Sequence, residues 1–341
     1  MENSSANPSK NFPPMPDWGA LLAIIVGALL FVVPLSHIGF LGMDWLVYFT
    51  SEPFGSVVQR FIPVYPPWVM PYILRPLTSL PPYTGLAILN AITLSTLTVL
   101  TFRYARYAYP RSRRTAISGV LFVILTPLPW MVFWLGQVDA MTLLGLVTLP
   151  FGMPLLLAKL NIGIWAALNS RRDILWAAAL GIGSLIIWGF WPLTSLQATT
   201  PADPGNPHPI LMGWQTTGII YALLGVLMLL FTNRDPLRLI AAGTFISPYI
   251  MPYHYVVLLP ALGRVSFRKQ LVLWAFSFLF ILPIGISTLE TKVIAMLFPL
   301  LVWLLTAPDL RPSALLADPD TILNRSLKTV RQIWDRFFSR S

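Results

Sequence analysis

Tyr83-Thr84-Gly85-Leu86-Ala87-Ile88-Leu89-Asn90-Ala91-Ile92-Thr93-Leu94-Ser95-Thr96-Leu97-Thr98-Val99-Leu100-Thr101-Phe102 carries no charged side chain. It is followed at once by Arg103, Arg106, Arg111, Arg113 and Arg114, the densest basic cluster in the sequence. At about 1.5 Å per residue a helix over this run spans about 30 Å, the thickness of a bilayer's hydrocarbon core. Basic residues beside a span collect on the cytoplasmic side, so the arginine cluster is expected inside and Tyr83 outside. The orientation of the other segments follows from this one.

Working back, Trp18–Phe40 is an apolar run long enough to cross and must lead outward. The loop over residues 41–67 is then expected on the outer face, with Asp44, Glu52 and Arg60 among its few ionisable groups. Trp68–Leu80 is short and broken by Pro71, Arg75 and Pro76, which suits an interfacial or re-entrant piece. Working forward, Ala116–Thr126 returns outward to a Pro127-Leu128-Pro129 kink. Met153–Leu168 carries Lys159 near its middle and must end inside at Arg171-Arg172. That length cannot cross twice, so it is expected to be two short pieces with Lys159-Leu160-Asn161 at the tip. Leu239–Leu262 shows the same broken pattern around Pro252-Tyr253-His254-Tyr255. The sequence thus predicts an all-α polytopic membrane protein of about eight full spans plus short broken helices, with both termini cytoplasmic. Residues 1–16 read as a disordered tail and 17–307 as the membrane domain. In 308–341, Leu323, Leu327, Val330, Trp334 and Phe337 form one apolar stripe beside basic faces, an amphipathic tail for the inner leaflet.

Composition agrees. Of 341 residues, 56% are hydrophobic and 11% charged, against about 25% charged in a soluble domain. The net charge of +10 sits in short clusters between apolar runs, which argues against nucleic acid and for cytoplasmic loops. There is no cysteine, so thiol nucleophiles, thiolate metal sites and disulfides are excluded. Three scattered histidines have no metal-ligand spacing, and no phosphate-binding glycine loop is present. No cofactor or metal is expected.

Ionisable groups at membrane depth are costly and mark candidate sites. Lys159 needs an anion there. A lipid phosphate would supply one; so would a pairing with Asp139, and snorkelling to an interface would avoid the need. Asp44 just past the first span could take a proton from an attacking hydroxyl; taken alone, it also reads as a solvated loop acid. Gln137 and Asp139 could bind hydroxyl-rich ligands or cap a helix. His254 could bind phosphate or pack at an interface, and His37 is a weaker version of the same case.

Four ordered stretches resemble the polyprenol-phosphate-sugar-dependent glycosyltransferases of the GT-C superfold, most of all glycosyltransferase family 87, the bacterial alpha-mannosyltransferase group. They are Gly42-Met43-Asp44-Trp45-Leu46-Val47-Tyr48; Val64-Tyr65-Pro66-Pro67 with Arg75-Pro76-Leu77 and Leu89-Asn90; Trp134-Leu135-Gly136-Gln137-Val138-Asp139 with Lys159-Leu160-Asn161; and Ser247-Pro248 with Tyr253-His254-Tyr255. Asp139 stands where the family has Asn, and Leu160 where it has Pro. The resemblance implies inverting transfer of a hexose from a polyprenyl-phosphate donor to a glycolipid or glycan acceptor at the outer face of the plasma membrane. It implies Asp44 as base. Lys159, His254, Arg60 and Arg75 would stand at the donor phosphate, and Trp45, Tyr65, Gln137, Asp139 and Tyr253 on the sugar and acceptor side. A transporter or lipid flippase, and a non-catalytic membrane subunit, remain the alternatives from other classes.

Overall fold

The computed structural model describes residues 18–39, 41–46, 65–110, 112–193, 216–232, 234–247, 250–282 and 289–307. The two tails, Arg60 and most of the loop over 41–67 lie outside them. No strand occurs among the described residues. The helices are α1 (Trp18–His37), α2 (Pro82–Ala108), α3 (Arg113–Leu125), α4 (Pro127–Leu135), α5 (Asp139–Val147), α6 (Met153–Leu156), α7 (Leu160–Ala167), α8 (Arg171–Trp188), α9 (Thr216–Leu230), α10 (Pro236–Gly243), α11 (Phe267–Phe276), α12 (Leu289–Ala295) and α13 (Leu297–Leu305). A 3-10 segment, Pro252–Arg264, lies between α10 and α11, and a π-helical turn, Val69–Leu74, precedes α2.

Among the described residues two helices, Gly19–His37 and Pro82–Ala108, are long and apolar enough to cross a membrane; α3 and α4, bent by 45° at Thr126, make a third if the pair is one span. The expectation of about eight full spans is therefore met only in part. Several remaining apolar runs are divided rather than continuous. The run after Arg238 breaks between α10 and the Pro252–Arg264 segment, α11 tightens into 3-10 turns at Ser277–Ile281, and α12 gives way to α13 at Met296. Pro252 opens the 3-10 segment and Pro260 lies within it; Pro260 cannot donate to a helical ladder, which suits a segment that does not continue as an α-helix.

The centre of the fold is α2. Its apolar window is 72% buried, against 17% for α1, so α1 faces outward along most of its length. The threonines that interrupt the apolar face of α2 satisfy themselves: Thr93, Thr98 and Thr101 donate to the carbonyls of Leu89, Leu94 and Leu97. Asn90 reaches across to α1 and donates to Ser36 at 3.1 Å, a polar tie between the two longest apolar helices. At the other side of the fold Arg238 is fully buried. It donates to the carbonyls of Trp303 and Phe231 and lies 4.6 Å from the Trp303 ring. Those carbonyls close α13 and α9, so the guanidinium sits at two negative helix ends.

Glycine decides how closely the broken helices that carry Lys159 can pack. A β-carbon on Gly163 would come within 1.9 Å of the Leu156 carbonyl oxygen, and one on Gly145 within 2.2 Å of the Leu156 backbone nitrogen. No side chain can yield there, because the obstacle is backbone. Gly163→Ala is accordingly expected to part α6 from α7 and lower stability by about 1–3 kcal/mol or more, read as the thermal unfolding midpoint in detergent. An unchanged midpoint would contradict this packing.

Candidate functional site

Two glycines fix the loop after α1 to the end of α4. The Gly42 N–H donates to the Trp134 carbonyl at 2.8 Å. Gly42 and Gly136 both have positive φ, 89° and 72°, which a residue without a β-carbon adopts freely. Gly136 ends α4, and a β-carbon on it would meet the Trp45 Cβ at 2.5 Å and the Gly42 Cα at 3.1 Å. The chain after Gly136 therefore starts against the loop that carries Asp44, and this places Gln137 beside it.

Gln137 is the hinge of the site. Its Nε2 donates to Asp44 Oδ2 at 2.5 Å, and its Oε1 accepts from Lys159 Nζ at 3.0 Å. The Tyr65 hydroxyl reaches the same Oε1 at 3.4 Å. Lys159 Nζ then lies 3.2 Å from His254 Nε2 and 3.3 Å from Asp139 Oδ2. Its ammonium also faces the Tyr65 and Tyr253 rings at 5.6 and 5.0 Å. One run of contacts thus joins the loop after α1, the start of α5, the break between α6 and α7, and the 3-10 segment. Each of these four places is an interruption in a helix, where backbone can line a site.

The His254 ring is oriented by the backbone. Its Nδ1 accepts from the Met251 N–H at 3.1 Å and from Asn161 Nδ2 at 3.3 Å. A backbone amide can only donate, so Nδ1 is unprotonated and a neutral ring carries its proton on Nε2. That N–H points toward the Lys159 ammonium, which also only donates. Neither satisfies the other. An anionic oxygen accepting from both would bring two donors to one atom, the geometry a phosphate oxygen takes.

The charges rank themselves. Asp139 and Lys159 are 0% and 5% exposed. At 3.3 Å their attraction is about 5 kcal/mol at an effective dielectric near 20, whereas each cation–π contact is worth about 0.5–2 kcal/mol. Asp139 is therefore the main counter-charge of Lys159, so the pairing that the sequence left open is present. The ion pair with Lys159 is the side-chain contact that holds the Asp139 carboxylate among the described residues. Asp44 is only partly buried, and burial pushes its carboxyl above the usual carboxylate range, against the Gln137 hydrogen bond and the Lys159 charge, which pull it down. Burial also raises the Tyr65 phenol, with the Asp139 and Asp44 charges adding to it.

The structure brings Asp44, Tyr65, Gln137, Asp139, Lys159, Tyr253 and His254 together. Gln137 and Asp139 do not serve as caps, since α5 has no side-chain cap bond at its start. Trp45 stands behind the cluster: it is fully buried, and its indole donates to the Pro82 carbonyl at 2.8 Å. Arg75 is exposed on a one-turn α-helix, Arg75–Thr78, and His37 is exposed with its Nδ1 bonded to the Val33 carbonyl; neither stands in the cluster. Asn161 is a site residue missed from sequence. It lies in the same Lys159-Leu160-Asn161 run, two residues past the cation, and its place in that run was its signal. Among the described residues no group of three or more His, Asp or Glu could hold a metal. Comparison with protein-family models, with curated proteins and with solved structures finds no match.

Proposed function

We propose that this chain is a multi-pass glycosyltransferase of GT-C-like architecture. In this reading it moves a hexose, mannose by its resemblance to family 87, from a polyprenyl-phosphate donor to a glycolipid or glycan acceptor at the outer face of the membrane, with inversion. The observation that supports this reading is the line Asp44–Gln137–Lys159–His254. It gathers a carboxylate and two N–H donors, Lys159 Nζ and His254 Nε2, in one cluster, with Gln137 bridging the carboxylate to Lys159, the groups that a base and a phosphate site require. In the proposed step Asp44 takes the acceptor's hydroxyl proton as that oxygen bonds to the anomeric carbon. The bond from that carbon to the phosphate oxygen breaks, and the electron pair leaves with the lipid phosphate, whose charge the Lys159 ammonium and the His254 Nε2–H hold. Stabilising that charge away from water is where most of the rate gain lies. An apolar cavity of about 150 Å³ lined by Phe31, Val32, Leu94, Trp130 and Phe133 offers hydrocarbon a place between α1, α2 and α4.

The test is transfer by the purified protein in lipid vesicles, supplied with a radiolabelled polyprenyl-phosphate hexose and extracted membrane glycolipids. A labelled glycolipid or glycan is expected, and a nucleotide sugar should be inert as donor. Absence of product from every polyprenyl-phosphate sugar would sink the proposal. One observation favours a second reading: Lys159 is already neutralised by Asp139, and such a buried pair also suits a transporter that carries a proton or cation. Substrate movement across the vesicle without bond formation would select it.

A further inference from the structure

The phosphate-binding role proposed for Lys159 raises a question of charge. With Asp44 and Asp139 ionised and His254 neutral, the cluster carries two negative charges and one positive. A phosphodiester adds one more negative charge and draws on the same ammonium that holds Asp139. Lys159 is the ion-pair partner of the Asp139 carboxylate, and among the described residues no other side chain donates to it. Thr142, one turn along α5 on the same face, adds a buried hydroxyl that also lacks a hydrogen-bond partner. Once Lys159 turns to an incoming anion, Asp139 is left as a dry carboxylate without a cation or a side-chain donor, a state that a buried acid leaves by taking a proton.

We propose that anion binding at Lys159 is coupled to the uptake of one proton by Asp139, so that Lys159 exchanges one partner for another while the net charge of the cluster stays constant. This rests on the phosphate reading and adds a proton to it. The other groups that could take the proton are on the page. His254 offers no easy site, because Nδ1 already accepts from Met251 and Asn161 and Nε2 already holds a proton. Tyr65 and Tyr253, whose rings face Lys159, are neutral phenols with nothing to gain. Asp44 is the rival: burial raises its carboxyl against the Gln137 bond, but it is bridged to Lys159 through that amide rather than paired with it, and the Asp44→Asn arm of the experiment decides between the two. Among the elements packed on α5, α6 and α7 contribute no titratable side chain, α2 has them only at its ends, Tyr83 at one and Arg103 to Tyr107 at the other, and the 3-10 segment adds Tyr255 and, at its far end, Arg264.

The measurement is calorimetric binding of the methyl diester of a polyprenyl phosphate, whose single charge does not titrate between about pH 5.5 and 8. The intact protein in detergent is titrated in buffers of different ionisation enthalpy. Uptake of close to one proton per diester bound is expected, with affinity falling about tenfold for each pH unit of rise. In Asp139→Asn the proton count should fall to zero and the affinity should become flat with pH, while in Asp44→Asn the coupling persists. The wild-type proton count does not depend on any variant folding. Binding without proton uptake overturns the proposal and leaves the phosphate reading standing. Coupling that disappears with Asp44→Asn instead overturns the assignment to Asp139. No binding of the diester overturns both.

Discussion

Asp44→Asn is expected to lower kcat for sugar transfer by about 10²–10⁴-fold, the contribution of a positioned general base, with little change in donor binding. The substitution is nearly isosteric. The new amide oxygen can still accept from Gln137 Nε2, which now donates to Asp44 Oδ2, so the line to Lys159 survives and only the proton acceptor is lost. The same residue sets the pH dependence. Burial raises the Asp44 carboxyl above its ordinary value of 3.8, and the base must be ionised to work. Activity should therefore fall on the acid side through a pKa above the usual carboxylate range, and that limb should be missing from the residual rate of the variant. The stability effect has the opposite sense. A folded-state pKa raised above the unfolded one favours the protonated carboxyl. That contribution is complete below the unfolded value and is lost as pH rises through the folded one. At neutral pH the ionised Asp44 thus costs stability that the variant does not lose, so Asp44→Asn should unfold at a higher temperature than the wild type, with the gap closing in acid. A variant that transfers sugar at the wild-type rate would remove Asp44 as base.

How much of this could be read from the sequence differs by residue. The Tyr83–Phe102 run shows as a helix because charge is absent over a length that only a span or a deeply buried helix needs, and α2 covers it. The break at Lys159 is legible for a related reason: an apolar segment too short to cross twice must turn, and α6 and α7 meet around it. Hydropathy does not give the span count. It sums over a window and is blind to whether Pro252, Pro260 or a 3-10 turn interrupts the helix within it. The site was legible as a set of costly residues, since each ionisable group in an apolar chain needs a partner. Which partner each takes was not legible. The bond from Gln137 to Asp44 spans 93 residues of sequence and depends on two glycines, Gly42 and Gly136, whose positive φ no composition rule reveals. The fixing of His254 by the Met251 N–H is a backbone event, and side-chain identity carries no trace of it. Trp45 shows the converse error: an aromatic beside a candidate base looks like a sugar platform, and here it fills the wedge between Gly85 and Gly136.

Lys159→Met is expected to cost about 3–5 kcal/mol of stability, because Asp139 must then stay charged without its partner or take up a proton at neutral pH. The size follows from burial rather than from the number of contacts. Asp139 is 0% exposed and, among the described residues, Lys159 is the cation that pairs with it, so no second charge there takes over from the ammonium. Adding Asp139→Leu to that variant should recover most of the loss, since exchanging a buried ion pair for apolar side chains of similar volume is neutral or stabilising by up to about 4 kcal/mol. Measured together as unfolding midpoints in detergent, the two single variants and the double variant isolate the coupling between the pair. Transfer activity should follow a different course. It falls in Lys159→Met and stays low in the double variant, although the fold has returned, because the leaving phosphate still lacks its cation. If the double variant regained both stability and transfer, Lys159 would be a structural partner of Asp139 and the phosphate role would pass to another residue. If Lys159→Met were as stable as the wild type, the 3.3 Å contact between Nζ and Asp139 Oδ2 would not be the counter-charge on which the site is built. Recovery of the fold without recovery of transfer is the outcome that separates a lysine kept for chemistry from one kept for packing.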